Sequence, residues 1–212
     1  MLIVIDGPAG SGKSTVAKKI ASNLNIKYLD TGAMYRSITY YFLMNNLDLK
    51  SKEIIKSNLK NIEISYINSD ICLNGINIVN KIRTNEISNN VGFIANNYDV
   101  RMFLVEMQRK MAKTNSFIMD GRDLGTYVFP DTINKFYLTA SVDCRAQRRF
   151  LENEEKGLGG TLEEIKKEIE YRDYNDQNRE IGPLKIAEDA IIIDTDNLNI
   201  NEVVKIIIEK IK

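Results

Sequence analysis

The feature that most constrains this chain is a glycine-rich stretch near its amino terminus. Residues 7–14 read GPAGSGKS and are separated only by Asp6 from the apolar run LIVI at 2–5. Glycine is favoured where the backbone passes close to another group or adopts a positive φ, so the stretch is either a phosphate-binding loop or a tight structural turn. It satisfies G-x-x-x-x-G-K-[ST] between a predicted strand and a predicted helix. We therefore predict phosphate binding here.

The geometry of such a loop predicts roles for its backbone, its lysine and its serine. Backbone N–H groups of the loop and of the following helix would point at an anion, which the helix dipole favours. Lys13 would reach the β- and γ-phosphates of ATP, and the Ser14 hydroxyl would hold Mg²⁺. The predicted ATP-binding residues are Gly7, Pro8, Ala9, Gly10, Ser11, Gly12, Lys13, Ser14 and Thr15. The loop alone fits a kinase, a GTPase or a motor ATPase.

Composition removes several other classes of function. The 212 residues suit one domain with a small insertion, and 29 basic against 29 acidic side chains argue against a nucleic-acid coat. Histidine is absent, which excludes serine–histidine hydrolysis, cysteine–histidine catalysis and histidine-ligated zinc. Cys72 and Cys144 form no CxxC pair and no secretory leader is recognised, so we expect thiols in a reducing cytosol. No apolar run is long enough to span a membrane.

Short apolar runs alternate with longer segments of helical periodicity. Apolar runs without alternation suit strands buried on both faces, so this order predicts an α/β fold with a parallel sheet covered by helices. The predicted strands are 2–5, 27–29, 117–119, 135–138 and 190–193. The predicted helices are 14–24, 32–45, 84–113, 142–155, 161–179 and 199–211.

One stretch has a different period. Residues 62–80 alternate apolar and polar side chains around two turn signals, Asn68-Ser69-Asp70 and Asn74-Gly75. Alternation broken by an Asn-Gly pair is typical of a β-hairpin. We therefore expect a small antiparallel β insertion.

A second anion site is predicted at DTGAMYR, residues 30–36. The segment follows a short predicted strand and opens a helix, with Thr31, Tyr35 and Arg36 within its first turns. A hydroxyl and an arginine at a helix N-terminus suit a phosphate. The alternative is that Asp30 or Thr31 is only a helix cap.

Residues 119–126, MDGRDLGT, carry charged side chains at the end of another predicted strand. Asp120 stands where P-loop proteins often place a carboxylate near the metal or its water. Arg122 and Asp123 would project from the carboxyl end of the sheet, where open α/β sheets bind ligands. A plain turn is the alternative reading.

One face of the predicted helix 161–179 changes from apolar to charged. In steps of three and four, this face carries Leu162, Ile165, Ile169, Arg172, Asp176 and Arg179. Its apolar half must face the protein, so the charged half should line a cleft and suits a substrate phosphate and a sugar hydroxyl. A solvated row of ion pairs is the alternative.

Three further arginines precede a glycine-rich segment. Arg145, Arg148 and Arg149 share one helix face ahead of EEKGLGG at 154–160, whose glycines would act as hinges. This pattern indicates a mobile arginine lid over transferring phosphates, and an ordinary surface helix is the alternative.

In combination these motifs resemble the bacterial cytidylate kinase family over nearly the whole chain. The matching segments are DGPAGSGKST (6–15), DTGAMYR (30–36), IRT (82–84), DGRDLGT (120–126), VFPD (128–131) and RDYNDQNR (172–179). The resemblance implies ATP-dependent phosphorylation of CMP and dCMP in the cytoplasm, with ATP and Mg²⁺. It implies one kinase domain over 1–212 with a five-stranded parallel core, an insertion at about 60–83 and a lid at about 145–162.

The resemblance also implies roles for individual residues. The predicted acceptor-binding residues, mainly for the phosphate, are Thr31, Tyr35, Arg36, Arg122, Arg172 and Arg179. Asp176 would meet the sugar, and Arg101 with Asp123 would contact the cytosine edge. Gly92 stands where the family often has a serine that contacts the base. The predicted catalytic residues are Lys13, Arg122, Arg145, Arg149, Arg172 and Arg179.

Three other functions remain open at this point. The nearest is a kinase with another acceptor, such as UMP, AMP or a small metabolite. The second is a P-loop switch that binds nucleotide to control a partner; the second anion site and the helix face that changes from apolar to charged argue against it. The third is a purely structural nucleotide-binding subunit. We expect no nucleic-acid or membrane partner, and a monomer is the default.

Overall fold

The structure is a computed structural model that describes residues 1–67, 70–155, 157 and 159–212. Contacts between residues divide the chain into two compact units, one of residues 1–28 with 116–212 and one of residues 29–115. None of the helices in the described part of the chain combines the length and the apolar character that crossing a membrane requires.

Strands and helices alternate over most of the chain. The strands are β1 (Leu2–Asp6), β2 (Lys27–Asp30), β3 (Ile64–Ile67), β4 (Asp70–Leu73), β5 (Ile76–Asn77), β6 (Phe117–Gly121), β7 (Asn134–Thr139) and β8 (Ile191–Asp194). The helices are α1 (Lys13–Leu24), α2 (Thr31–Met44), α3 (Lys52–Asn58), α4 (Asn85–Ala95), α5 (Tyr98–Ala112), α6 (Val142–Glu155), α7 (Leu162–Asn178) and α8 (Ile200–Lys210).

Five of the strands form the predicted parallel sheet, in the order β2-β6-β1-β7-β8. The central strand β1 pairs in parallel with β6 and β7, and β7 pairs in parallel with β8. All five match predicted strands within two residues at either end. The predicted fold class is therefore confirmed.

The apolar runs of the strands form the core of the first unit. Ile3 and Ile5 of β1 and Phe136 of β7 pack with the apolar stripes of α1 and α8, in which Ile20 and Ile207 are fully buried. Residues four apart share one face of a helix, so each stripe meets the sheet along its length. This packing holds α1 against the sheet directly after the glycine-rich stretch.

The second unit contains the predicted β insertion. β3, β4 and β5 form a three-stranded antiparallel sheet in that order. Asn74 and Gly75 connect β4 to β5 with φ of 49° and 78°, the left-handed pair that a two-residue hairpin turn needs. The other predicted turn includes residues 68 and 69, which lie outside the described residues.

The segment 84–113 is mainly helical as predicted, but the helices differ from the prediction in two places. The segment 84–113 is two helices, because Asn97 begins α5 by accepting a hydrogen bond from the N–H of Val100 at 3.1 Å. An asparagine that caps a new helix ends the previous one, and hydrophobic periodicity does not register this. Helix α3 was not predicted at all, although Ser51 caps it in the ordinary way by accepting from the N–H of Ile54.

The glycine-rich stretch begins after β1 at Gly7, where the backbone passes close to β7. Gly7 has a φ of 147°, and a Cβ built on it would lie 2.0 Å from the carbonyl oxygen of Leu138. Only glycine fits this approach. Gly12, at the start of α1, has a φ of 86° but no atom within 4 Å of an added Cβ.

We expect Gly7→Ala to lower the free energy of unfolding by about 3 kcal/mol or more, because backbone must move to admit the methyl group. Gly12→Ala is the matched control, with left-handed strain alone and a loss of about 1 kcal/mol. Urea unfolding of both variants measures the difference. Equal losses in the two would contradict the close approach.

Asp6 ends β1 with its carboxylate buried. Its two oxygens accept hydrogen bonds from the N–H groups of Leu124, at 3.0 Å, and Gly125, at 2.7 Å. Burial raises the pKa of Asp6 to about 6 and the nearby charge of Asp123 adds to the rise, against the lowering effect of the two N–H donors. Asp6 therefore holds the turn that follows β6.

This raised pKa predicts that stability falls as the pH rises from about 4 to above 6. In that window the folded protein binds more protons than the unfolded chain, so the free energy of unfolding decreases with pH. The shift from 3.8 to about 6 corresponds to a loss of about 3 kcal/mol.

Urea unfolding of the wild type and of Asp6→Asn, which has no carboxyl group to titrate, measures the effect. The stability of the wild type relative to the variant should fall across this pH range. A difference that stays constant between pH 4 and pH 7 would disprove the prediction.

Candidate functional site

The glycine-rich stretch has the strand–loop–helix setting that phosphate binding requires. It joins β1 to α1, and Gly10 and Gly12 have φ of 77° and 86°. The N-cap residue of α1 is Gly12, which has no side chain to cap the helix. The backbone N–H groups there are thus available to an anion, in the direction that the helix dipole favours.

Lys13 lies over this loop. Its side chain is buried, and Nζ donates hydrogen bonds to the carbonyl oxygen of Pro8 at 2.6 Å and to Ser11 Oγ at 3.2 Å. Burial, and then the charge of Arg122, holds the pKa of Lys13 well below its usual value. A phosphate chain would supply the negative charge that favours the protonated amine.

Ser14 and Asp120 come together at the end of β6. The Ser14 hydroxyl donates to Asp120 Oδ2 at 2.7 Å, and the Tyr28 hydroxyl donates to Asp120 Oδ1 at 2.8 Å. A hydroxyl and a carboxylate are oxygen ligands that Mg²⁺ accepts, so these residues fit the ion.

The donor set also indicates how such an ion would be held. Among the described residues, no group of three or more cysteine, aspartate or glutamate side chains could bind a metal by itself. Mg²⁺ in proteins is commonly held by one or two carboxylates together with substrate phosphates. Ser14 and Asp120 suit that shared kind of site.

Two arginines and two aspartates form a largely buried network in the first unit, in which the side chains of Arg122 and Asp176 are each 18% exposed. Arg122 Nε donates to Asp176 Oδ2 at 2.8 Å, and Arg179 Nη2 lies 3.0 Å from Asp123 Oδ1. Arg179 Nη1 is also 3.8 Å from Asp176 Oδ1. The structure therefore unites residues from two motifs that lie more than 50 positions apart.

The network keeps its members charged. Burial disfavours both ions, but attraction to Asp176 raises the pKa of Arg122, and Arg122 with Arg172 and Arg179 lowers the pKa of Asp176. Charged arginines held ready in place need little reorganisation when an anion arrives.

Only part of the predicted charged face of α7 lies inside the protein. Ile165, Ile169 and Asp176 face inward as predicted. Leu162 and Arg172, predicted on the same face, are exposed, and Asp173 is buried in place of Arg172. Steps of four from Ile165 through Ile169 lead to Asp173, so a strict i, i+4 pattern would have found this carboxylate.

The three arginines of α6 have separate partners. Arg145 is buried and pairs with Asp173, at 2.6 Å between Nη1 and Oδ2. Arg148 donates to the side chain and carbonyl oxygen of Thr195, and Arg149 is half exposed beside Glu152. A role for them as a lid stays a prediction.

The predicted residues of the second unit lie on α2 and α5. Asp30 caps α2 by accepting from the N–H of Ala33 at 2.9 Å, and its other oxygen accepts from Arg83 at 2.7 Å. Arg101, almost fully buried, donates to the Tyr35 hydroxyl at 3.3 Å, and its guanidinium lies 5.9 Å from that ring.

Three further predicted residues belong to this unit. Thr31 is buried at the start of α2, and Arg36 is half-buried one turn further on. Gly92 is exposed on α4, with no atom within 4 Å of an added Cβ.

Comparison with known proteins gives one consistent result. The model of the cytidylate kinase family matches residues 3–212. The cytidylate kinase of Alkaliphilus oremlandii (strain OhILAs) is 48% identical over 210 residues, 99% of this chain and 97% of that protein. The cytidylate kinase of Clostridioides difficile (strain 630) is 46% identical over 211 residues, 100% and 98% of the two chains.

A solved structure shares the fold at much lower identity. Shikimate kinase from Bacteroides thetaiotaomicron aligns over 99% of this chain and 97% of its own, with a TM-score of 0.51 and 15% identity. That similarity shows the fold alone. The match over nearly the full length, together with relatives close to half identical, shows that this chain belongs to the cytidylate kinase family.

Proposed function

We propose that the protein transfers the γ-phosphoryl group of ATP to the phosphate of CMP or dCMP, giving ADP and CDP or dCDP. The observation that carries the proposal is the largely buried network of Arg122, Asp176, Arg179 and Asp123, in the same unit as the phosphate-binding loop. A protein that only hydrolyses ATP or switches with it needs no second set of buried arginines.

On the donor side, the loop from Gly7 to Thr15 would bind the phosphates of ATP through its N–H groups. Lys13 would contact the transferring group and offset its charge, and Ser14 with Asp120 would hold Mg²⁺. Bound there, the ion would neutralise charge on the phosphates.

On the acceptor side, several cations would surround the monophosphate. The proposed phosphate-binding residues are Thr31, Tyr35, Arg36, Arg122, Arg172 and Arg179. Asp176 would accept from the sugar, and Arg101 with Asp123 would contact the cytosine edge. These arginines would reduce the repulsion between two anionic substrates, which opposes their close approach.

The proposed reaction does not require a strong general base. The attacking oxygen belongs to a phosphate that is already an anion, so positioning and charge neutralisation would supply the catalysis. This suits a chain that contains no histidine. Arg149 remains our proposed catalytic arginine of a lid at about 145–162, whose closure would exclude water and limit ATP hydrolysis. Arg145, the other arginine predicted for the lid, is bonded to Asp173 and to the backbone of Ala9 and Ala140, so we propose that it acts on the loop instead.

We further propose that the chain acts as one kinase domain, with its β insertion at about 60–83 on the acceptor side. It would work as a monomer in the cytoplasm, in pyrimidine nucleotide metabolism, without a nucleic-acid or membrane partner.

A coupled assay of ADP release tests the proposal, with ATP-Mg²⁺ and each of CMP, dCMP, UMP and AMP. We expect strong turnover with CMP and dCMP only. Gly92 has no hydroxyl to contact the base and lies in open space, so discrimination between bases would depend on Arg101 and Asp123. Comparable turnover of UMP would therefore overturn the roles given to those two residues. No turnover with any acceptor would overturn the proposed reaction and favour a nucleotide-dependent switch.

We expect Arg179→Ala to lower kcat at least about tenfold, because it removes a buried cation from the acceptor side. Lys205→Ala is a suitable control. It also removes one positive charge, but Lys205 is exposed on α8 beside Glu209. Steady-state kinetics at saturating ATP and CMP measure both variants. Unchanged kcat in Arg179→Ala would remove this residue from the site.

A further inference from the structure

The peptide groups on both sides of Ala9, inside the glycine-rich loop, are held by one ion pair. Asp173 Oδ1 accepts from the Ala9 N–H at 3.3 Å, and Arg145 Nη1 donates to the Ala9 carbonyl oxygen at 2.9 Å. The same Nη1 donates to Asp173 Oδ2 at 2.6 Å. The N–H and the C=O of Ala9 are thus both bonded to side chains rather than pointing into the space of the loop.

Arg145 is itself fixed in place. Its Nε donates to the carbonyl oxygen of Ala140 at 3.0 Å, and its side chain is almost fully buried. A Cβ added at Gly10 would lie 3.2 Å from Arg145 Cβ, so the loop rests directly on this residue. A planar guanidinium that makes three bonds at fixed angles locates the backbone more narrowly than a flexible ammonium would.

Asp173 connects the loop to another part of the site. It belongs to α7, between Arg172 and Asp176, and Asp176 bonds Arg122 of the buried network. One turn of this helix therefore touches both the loop at Ala9 and the network at Arg122. A displacement of α7 by an ångström would reach the loop through Asp173.

We propose that Asp173, through its pair with Arg145, is a positioning residue for the donor nucleotide. By holding the peptide groups of Ala9, it sets the direction of the N–H groups that follow in the loop. Asp173 contacts no phosphate itself. The inference rests on the proposed function only in that the loop binds ATP or ADP.

The test is Asp173→Asn, which keeps the shape and one acceptor oxygen but leaves Arg145 buried without its counter-charge. We expect the Kd for ADP-Mg²⁺, measured by calorimetry, and the KM for ATP to rise about tenfold or more. The KM for CMP at saturating ATP should change less than about twofold, because only the donor loop loses its support.

Asp189→Asn is the matched control. Asp189 also pairs with a buried cation of the first unit, Lys135 at 2.8 Å, but touches no residue of the loop in the structure. It should lower the melting temperature without changing the Kd for ADP. Equal weakening of ADP and CMP binding in Asp173→Asn, or unchanged ADP binding, would overturn the proposal.

A second variant covers the case in which Asp173→Asn does not fold. Arg145→Lys keeps the charge but cannot bond Ala9, Ala140 and Asp173 together, so the Kd for ADP should again rise while the unfolding midpoint falls only slightly. An unchanged Kd for ADP would also overturn the proposal. Wild-type protein that binds ADP but leaves CMP unphosphorylated would refute the proposed function and leave this inference standing.

Discussion

Buried charge is the constraint on which the functional part of this structure depends. A site for polyphosphates must hold cations out of water before the anions arrive, and an isolated buried cation is costly. Arg122, Arg179 and Arg145 each have a carboxylate partner. Of these partners, Asp176 also lies near Arg179, and Asp173 also accepts from the Ala9 N–H. The acidic residues are therefore as necessary to the site as the basic ones.

Parallel pairing of strands explains how residues far apart in sequence can form one site. The strands β1 and β6 pair in register, so that Asp6 lies beside Gly121 and the loop after β1 lies beside the turn after β6. Asp6 bonds that turn, and Asp120 bonds Ser14. Parallel pairing brings the two ends together, and carboxylates hold them there.

Much of the fold and part of the site could be predicted from the sequence. Apolar runs located all five strands of the parallel sheet, and Asn74-Gly75 located a hairpin, because both signals are local. The break at Asn97 was not predicted, since it depends on one capping hydrogen bond that hydrophobic periodicity does not reveal. The helix spacing could have shown that Asp173 is buried, but not that it contacts Ala9. Tyr28 was missed for the same reason as that contact: its partner Asp120 is 92 residues away, and no spacing within a helix or strand encodes such contacts.

The turn between β4 and β5 has a consequence for the chemical lifetime of the protein. An asparagine followed by glycine is prone to deamidation, because little hinders the attack of the next peptide nitrogen on the side-chain amide. Here Asn74 Oδ1 accepts from the N–H of Glu63 at 2.7 Å, and Nδ2 donates to the carbonyl oxygen of Asn61 at 3.0 Å. These bonds hold the carboxamide against the neighbouring chain and oppose the rotation that ring closure needs. These bonds thus slow deamidation at Asn74-Gly75 for as long as the insertion stays folded.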